Sequence, residues 1–496
     1  MKPFAIHWFR RDLRIAGNPA LQYALKKYEG RVLGLFSFDA SFLGRQDFSA
    51  NRFGFFLNTL SSLREEMRAQ GGDLLVVDAL PVECLEKIVD WIRREAKEKN
   101  IAELCHNRDY EPFARKRDSL VQKLLGKLDL PLHTERDHLM IEPCELEKDG
   151  PDSFYQVYTP FSKRWFQLKA GGEFRDRFDQ KIVGLNYLKK AAAGEFEKRL
   201  FQLKWKDLGG KNFPYPDQLE AFLVKNKKMV TISLPPAGSK AVWESLQAFK
   251  KHLARYDEHR DLPSLGGTSR FSIYFKNGSL TPAQAVAFFG LQDCALSEKN
   301  SRTKFLQELV WREFYYHILY HCPRVEKEAF LAKYKHLEWQ TNPAWLERWQ
   351  KGETGFPIVD AGMRQLRQTG WMHNRVRMIV ASFLTKDLLI SWQEGEKFFM
   401  RELLDGDLAP NNGGWQWAAS TGCDPQPYFR VFNPWLQGAK FDPKAEYIRK
   451  YLPELKAISL KDIHDPEGNR GSAYPKPMVE HARRKVHALA LYKNAK

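Results

Sequence analysis

The chain has 496 residues, more than one ordinary hydrophobic core can organise, so two or more domains are expected. Hydrophobic residues make up 43 % and aromatics 13 %, with 14 tryptophans, which excludes a disordered protein and leaves aromatic surface for purposes besides packing. An excess of 78 Lys and Arg over 61 Asp and Glu, net +17, points to a polyanionic partner; nucleic acid fits better than an anionic membrane because no basic amphipathic anchor stands out.

The chain reaches Arg10-Arg11-Asp12 after a short apolar run, so no signal peptide is expected, and no apolar run approaches membrane-spanning length. FAIHWF from Phe4 is a strand candidate, Asn18 to Tyr28 is helical, RVLGLFSFD is a second strand, and Ser49 to Ala69 is a long helix with Phe53, Phe56, Leu57, Leu60 and Leu63 on one face. DLLVVDA, a helix around Cys84 to Glu98, IAELCHN, a basic helix from Phe113 and LPLHTERD continue the alternation. Strands alternating with helices predict a parallel sheet covered on both faces. The turn after the first strand reads RRDLRIAGNPAL and no GxGxxG follows any strand, so Rossmann-type dinucleotide binding is not supported. Loops at the strand ends can still hold a second small molecule, with Arg52 and NRDYEPFARKRD (Asn107 to Asp118) as candidates; the same residues also suit solvated helix starts.

Asp137 to Pro236 loses the periodicity. Its charge clusters (Lys189-Lys190, and Lys225 with Lys227-Lys228), the Gly209-Gly210 pair, Pro214, Pro216 and the Pro235-Pro236 break predict a long crossover linker with some short helices. YQVYTPFSKR (Tyr155 to Arg164) is too aromatic to float free and is expected to pack onto a domain. The six cysteines, Cys84, Cys105, Cys144, Cys294, Cys322 and Cys423, are scattered without CxxC or His partners at metal-like spacing, so they read as reduced, mostly buried thiols of a cytosolic protein with no metal site.

After Pro236 the pattern is helical, opening with Trp243, Leu246 and Phe249 in Ala241 to Leu253. Gly266-Gly267-Thr268-Ser269-Arg270 followed by Ser272 offers amides, hydroxyls and a positive charge that suit a phosphate group, although the same letters serve an ordinary N-cap turn. In the helix from about Ser301 to Tyr320, Leu306, Val310, Phe314 and Ile318 line one side, and Phe305, Glu308, Trp311, Arg312 and Tyr315 gather on the other. The second face can stack on a base and hydrogen-bond its edge; alternatively Trp311 is core and Glu308 and Arg312 form an exposed i,i+4 pair. Met372 to Leu388 reads as one helix with Val376, Ile379, Val380 and Phe383 on an apolar stripe and Asn374, Arg375, Arg377, Met378 and Ser382 opposite. Arg377 needs a carboxylate, with Asp405 or Asp407 available, whereas Arg375 suits a phosphate. Finally, LDGDLAPNNGGWQWAASTGCDPQPYFRVFN (Leu404 to Asn433) concentrates two carboxylates, the amides of Asn411 and Asn412 and the Gly413-Gly414 pair, which can present polar atoms and bare backbone to a planar molecule, read here as a flavin.

These residues carry a resemblance. GETGFPIVDAGMRQL, TGWMHNRVRM, DLLISWQEGEKFFM and DGDLAPNNGGWQWAASTG are similar, without gaps, to the photolyase and cryptochrome family, most closely the class I cyclobutane pyrimidine dimer photolyases. The resemblance implies an α/β plus all-α fold: a Rossmann-like parallel-sheet antenna domain (1–134), a linker (135–237) and an all-helical FAD-binding domain (238–485). It places Tyr256, Thr268, Ser269, Arg270, Phe271, Ser272, Phe305, Asp405, Gly406 and Asp407 at FAD, with the 268–272 turn at the pyrophosphate, Asn411 opposite flavin N5, and the Arg377–Asp405 pair beside the isoalloxazine. Glu308, Trp311, Asn374, Arg375 and Met378 match the lesion pocket, Arg312 and Tyr315 its DNA side, and Arg260 and Arg430 the DNA backbone. Trp339, Trp392 and Trp415 match the family's electron-transfer chain.

The activity so implied is light-driven, redox-neutral splitting of pyrimidine dimers by electron transfer from excited FADH⁻ to a lesion flipped out of UV-damaged DNA. The enzyme is expected to be a cytoplasmic monomer, nucleoid-associated on DNA. Asn411 is the photolyase choice where plant cryptochromes carry Asp and animal-type ones Cys, and the chain ends soon after the helical domain, which weighs against a blue-light photoreceptor without repair activity. TGWMHNRVRM stands where (6-4) photolyases are His-rich, which favours the cyclobutane dimer. A second, antenna chromophore is expected, methenyltetrahydrofolate or a deazaflavin: Phe113-Ala114 replace the Asn-Glu pair of many folate-binding members, and EPFARKRD with Arg52 looks more like the deazaflavin branch. TSRFSIYF departs from the commoner TSRLSPYL, with Phe271 and Ile273 keeping the apolar character.

Overall fold

Five short strands form one parallel sheet: β1 (Phe4–Phe9), β2 (Val32–Phe38), β3 (Leu74–Asp78), β4 (Ile101–Asn107) and β5 (Leu132–Glu135), in the order β3-β2-β1-β4-β5. This is a computed structural model that describes residues 2–95, 101–148, 153–171, 203–209 and 212–495; Lys189, Lys190, Gly210 and the expected helix end at Glu98 lie outside the described residues. β1 is buried along its whole length because both sheet faces are covered, which is why it is mostly apolar, with His7 the buried polar exception. The pleat still sorts its side chains: Ala5 and Phe9 join one core with Leu21, Leu57 and Met67, while Phe4, Ile6 and Trp8 join the other with Leu85, Ile88 and Leu125. Gly34 on β2 lets the Ala50–Ala69 helix approach, since a Cβ there would stand 2.5 Å from the Met67 methyl.

Asn18 and Ser49 start the Pro19–Lys27 and Ala50–Ala69 helices by accepting the N–H of Leu21 and Arg52. Strand order reverses between β1 and β4, and the crevice beyond their carboxyl ends is where open α/β sheets bind ligands.

The chain divides into two compact units. The first comprises Met1–Glu145, Arg164–Lys250 and Arg270–Ala295; the second comprises Leu146–Lys163, Lys251–Ser269 and Leu296–Lys496. In the first, part of the span read as a linker is folded: the Leu219–Lys227 helix packs on Ala50–Ala69 with Leu219 buried, and Asp217 pairs with Arg64.

The second unit is helical around a core that includes Trp349, Val359, Leu366, Ile379, Phe399, Trp415 and Tyr447. Met372 to Leu388 is not one helix. An α-helix runs over Asn374–Ser382, with His373 capping it by accepting the Arg375 N–H, and a wider π turn follows over Phe383–Asp387. The extra residue per turn carries two charged side chains, Lys386 and Asp387, into the interior, where Lys386 Nζ donates to Ser420 Oγ at 3.0 Å and Asp387 meets His481 Nδ1 at 2.6 Å. Ser382, expected on the polar arc, is buried as well, at the end of the regular helix before the π turn. Among the described residues no helix is long and apolar enough to cross a membrane. All six cysteines are free thiols, and only Cys144 is exposed.

Candidate functional site

Asp405 and Asp407 are buried, and a buried charge needs partners. Arg377 Nη2 donates to both Asp405 oxygens, at 2.8 and 3.1 Å, while its Nε donates to the Met372 carbonyl at 2.8 Å. Asp407 accepts the Tyr316 hydroxyl at 2.7 and 2.8 Å and lies 3.6 Å from Arg312. The tertiary fold therefore chooses Asp405 over Asp407 for Arg377. Gly406, between the two acids, is buried.

The Leu408–Ala418 helix that follows has a packed side and an open side. Asn412, Trp415, Gln416 and Ala418 are buried, whereas Asn411, Gly414 and Trp417, three residues apart, are at least partly exposed. A Cβ on Gly414 would meet nothing within 4 Å. Asn411 Nδ2 donates to the Glu396 carbonyl at 3.1 Å, which fixes the orientation of the amide. Asn412, read as a second ligand-facing amide, instead points inward and donates to Val325 O and Glu396 Oε1, both at 2.9 Å. On the packed side Trp415 lies edge-on to Phe399 at 4.9 Å and against Gly395. Trp392, the first residue of its helix, is buried, and Trp339 is half-buried beside Tyr492 at 6.3 Å.

Along the phosphate-type turn, Gly266 is left-handed at φ 60° and Arg270 at φ 55°. Thr268 Oγ1 is buried with no hydrogen-bond partner among the described residues, the state expected of a hydroxyl that serves an absent oxyanion. Ser269 ends a segment of the second unit; Arg270, Phe271 and Ser272 belong to the first, where Phe271 is fully buried and Ser272 opens the short Ser272–Asn277 helix. Tyr256 and Phe305 are buried edge to face, ring centroids 5.3 Å apart. These features fit FAD: an orphan hydroxyl for its phosphates, and an open glycine face with a fixed amide and an ion pair whose carboxylate is buried for a planar ring.

Around Glu308 the half-buried face of the Ser301–His321 helix meets the 256–261 segment. Glu308 is ion-paired with Arg260, which also lies 3.8 Å from Asp261 and over the Tyr256 ring. Burial pushes the phenols of Tyr158, Tyr256 and Tyr315 up, and the Glu308 charge adds to the effect on each. Trp311 is stacked on Tyr158 at 3.6 Å with the rings 7° from parallel, and Tyr315 packs against Gly413. Asn374 is exposed, with its amide nitrogen 4.0 Å from the half-buried Met378 sulfur.

Arg375, expected to suit a phosphate, is paired with a carboxylate in this structure. Its Nη2 donates to Asp261 at 3.0 Å and its guanidinium lies 4.4 Å from the Phe441 ring centre. Arg260 is likewise engaged by a carboxylate, whereas Arg430 is exposed in the turn after Pro427. Asp261, Tyr158 and Glu396 were not singled out in the sequence. Asp261 and Tyr158 act on partners more than a hundred positions away, so no local spacing marks them. The Glu396 contact to Asn411 is made by a backbone carbonyl, which carries no residue signal.

The first unit has its own polar cluster at the carboxyl ends of β1 and β4. Arg11 Nη1 pairs with Glu111 at 2.8 Å and reaches Asp109 at 3.8 Å, Lys276 reaches Glu111 at 3.5 Å, and Arg10 and Arg117 both lie over the Trp8 ring. Burial would raise the Asp109 carboxyl, but Arg11, His138 and Arg117 hold it below the usual range. Asn107 is buried, donating to Asp12 Oδ2 at 2.6 Å and to Asn18 Oδ1 at 2.8 Å, so the start of NRDYEPFARKRD is an interior network and not a solvated helix start. Arg52, with Nη2 donating to Asp47 O at 3.3 Å, is half-buried.

Comparison with known proteins adds an independent line. Residues 5–179 match the family model described as DNA photolyase, and residues 305–494 match the FAD binding domain of DNA photolyase. The deoxyribodipyrimidine photo-lyase of Escherichia coli (strain K12) is 36% identical over 495 residues, covering 99% of this chain and 98% of that one. The crystal structure of a bacterial class III photolyase from Agrobacterium tumefaciens superposes with a TM-score of 0.82 at 31% identity, over 100% of this chain and 98% of that one. An archaeal photolyase from Sulfolobus tokodaii, whose structure holds two FAD molecules, gives a TM-score of 0.77 at 29% identity, over 99% of each chain.

Proposed function

The chain belongs to the DNA photolyase family, and from that premise we propose that it is a light-driven repair enzyme that splits cyclobutane pyrimidine dimers in UV-damaged DNA, with FAD as its catalytic cofactor. The observation that carries the reading is the open Asn411–Gly414–Trp417 face together with the Arg377–Asp405 pair, half-buried at the arginine and buried at the carboxylate, a surface for a planar, electron-rich ring inside a helical unit.

When bound, reduced FAD supplies the light-driven electron that opens the cyclobutane ring and takes it back. Thr268 and Ser269 hold the pyrophosphate. Tyr256, Phe305 and the Asp405-Gly406-Asp407 segment complete the cofactor's enclosure. Arg377, neutralised by Asp405, and Asn411, fixed by the Glu396 carbonyl, orient the ring without rearranging at the moment of reaction. Glu308, Trp311, Asn374, Arg375 and Met378 receive the flipped lesion, whose own distortion of the duplex lowers the cost of unstacking. Asp261 keeps Arg375 in place and, with Glu308, restrains Arg260. Arg312 and Tyr315 border the DNA side, and Arg430 contacts the backbone. Trp339, Trp392 and Trp415 would carry electrons from an external reductant at the protein surface towards the cofactor site.

The cluster of Asp109, Glu111 and Lys276, with Arg52, is the site of a second, antenna chromophore in a sheet domain spanning about residues 1–134; the helical catalytic domain spans 238–485, and the protein is a cytoplasmic monomer that associates with the nucleoid on DNA. Illumination of the reduced protein with UV-irradiated DNA should remove thymine dimers, with a dark control unchanged. Absence of light-dependent dimer loss overturns the repair reading, and photoreduction without repair points to a photoreceptor.

A further inference from the structure

We infer that Tyr158 is a positioning residue for lesion recognition: it fixes the plane of Trp311 so that the opposite face of the indole is presented to a flipped base. The inference rests on the reading of Trp311 as a wall of the lesion pocket, and Tyr158 belongs to the aromatic stretch Tyr155 to Arg164 that the proposed chemistry leaves without a task.

The two rings are parallel within 7° at 3.6 Å, closer than most aromatic pairs, so one face of Trp311 is plated along its area. Tyr158 is itself held at three points. Its backbone N–H donates to Asp424 Oδ2 at 3.0 Å, its ring edge meets Phe314 at 5.8 Å, and its hydroxyl donates to the Gln307 carbonyl at 3.1 Å. In an α-helix that carbonyl also receives the N–H of residue 311, so the phenol is tied to the turn that sets the direction of the indole. The preceding residues are fastened as well: Cys423 Sγ donates to Gln156 O at 2.6 Å, Tyr155 N–H donates to His317 Nε2 at 3.2 Å, and Phe154 stacks on His321 at 5.1 Å.

Trp311 is only half-buried, and an unsupported side chain there would sample other rotamers and lose that freedom on binding. Support from Tyr158 removes that loss beforehand. The benefit falls on DNA that places a base against the indole, and not on undamaged duplex, which does not enter the pocket.

The test compares wild type, Tyr158→Ala and Tyr158→Phe in binding oligonucleotides with and without one thymine dimer, and in repair per absorbed photon at saturating DNA. Tyr158→Ala should weaken dimer binding roughly two- to tenfold, the range of one aromatic pair, with undamaged-DNA binding and repair per photon within about twofold. Tyr158→Phe keeps the stack and should restore dimer affinity to within about twofold. In a Trp311→Ala background, Tyr158→Ala should cause no further loss. Tyr158→Leu, which still fills space but cannot plate the indole, serves the same comparison where the alanine variant folds poorly. Unchanged dimer preference in Tyr158→Ala or Tyr158→Leu, equal loss on both DNAs, or a loss that persists without Trp311 overturns the inference. Failure of the premise reads differently: Trp311→Ala then binds dimer DNA as wild type does, whatever Tyr158 shows.

Discussion

Gly395 offers a way to move one tryptophan without touching it. A Cβ at this position would stand 2.1, 2.4 and 2.6 Å from Cη2, Cζ3 and Cζ2 of Trp415, against about 3.5–4.0 Å for an ordinary carbon contact. The overlap, roughly 1.4 Å or more by the same measure, must be relieved by turning the indole or parting the Trp392–Glu402 and Leu408–Ala418 helices. The ring has little freedom, being 2% exposed, edge-on to Phe399 at 4.9 Å and 6.0 Å from Trp349. Overpacking of this kind costs about 1–3 kcal/mol; for a unit of this size each kcal/mol lowers the melting temperature by about 2–4 °C. On the proposed role of Trp415 in carrying electrons to the flavin, Gly395→Ala should slow photoreduction of the oxidised, FAD-loaded protein severalfold. Repair by protein reduced chemically in the dark should persist, because that route bypasses the tryptophans. The assay follows flavin absorbance under illumination with an external reductant, beside dimer loss after chemical reduction. A folded variant that photoreduces at the wild-type rate would refute the assignment of Trp415, and equal loss of both activities would place the damage in the fold.

Gly414→Ala tests the neighbouring face in the opposite sense. With nothing within 4 Å of the new methyl, the apoprotein should gain up to about 1 kcal/mol of helix propensity yet retain FAD poorly, and full retention in a dialysis-resistant absorbance measurement would argue against a flavin on this face. His317 makes a pH prediction: burial pushes its imidazole down from 6.5 to about 3, with the His321 ring adding to the effect. Because the folded state resists protonation that the unfolded chain accepts, stability is full above about pH 6.5 and falls on acidification toward pH 3, by about 2 kcal/mol near pH 5. His317→Gln should flatten that slope in denaturant titrations near pH 8 and pH 5, and an unaltered slope would assign the acid sensitivity elsewhere. Arg430 and Arg375 should separate in salt titrations of DNA binding. Arg430→Gln should lower the salt slope by about one with little effect on melting, whereas Arg375→Gln, which removes the 3.0 Å partner of Asp261 and leaves it Arg260 at 3.8 Å, should lower melting as well; equal behaviour of the two would mean that the Asp261 pair is open in solution.

What was legible in the sequence is what local pattern encodes. β1 and β2 are mostly apolar, broken by His7 and Ser37, because both faces of a parallel sheet are covered, so the strands and their parallel arrangement could be anticipated from period and length. The two-sided Ser301–His321 helix, the Asn18 and Ser49 caps and the Asp- and Gly-rich run after Leu404 are equally local. The Arg377–Asp405 pair, left open between two carboxylates by the residues alone, was implied by the family resemblance and is present. Tertiary structure alone decided the other pairings: it gave Tyr316 to Asp407, turned Asn412 inward beside an outward Asn411, matched Arg375 to Asp261, and laid Tyr158 on Trp311. It also inserted the π turn at Phe383–Asp387, which took Lys386 and Asp387 inside. Periodicity reports which face of an element is buried, but a buried charge or ring is satisfied by whatever the packing brings within a few ångströms, and that neighbour can lie anywhere in the chain.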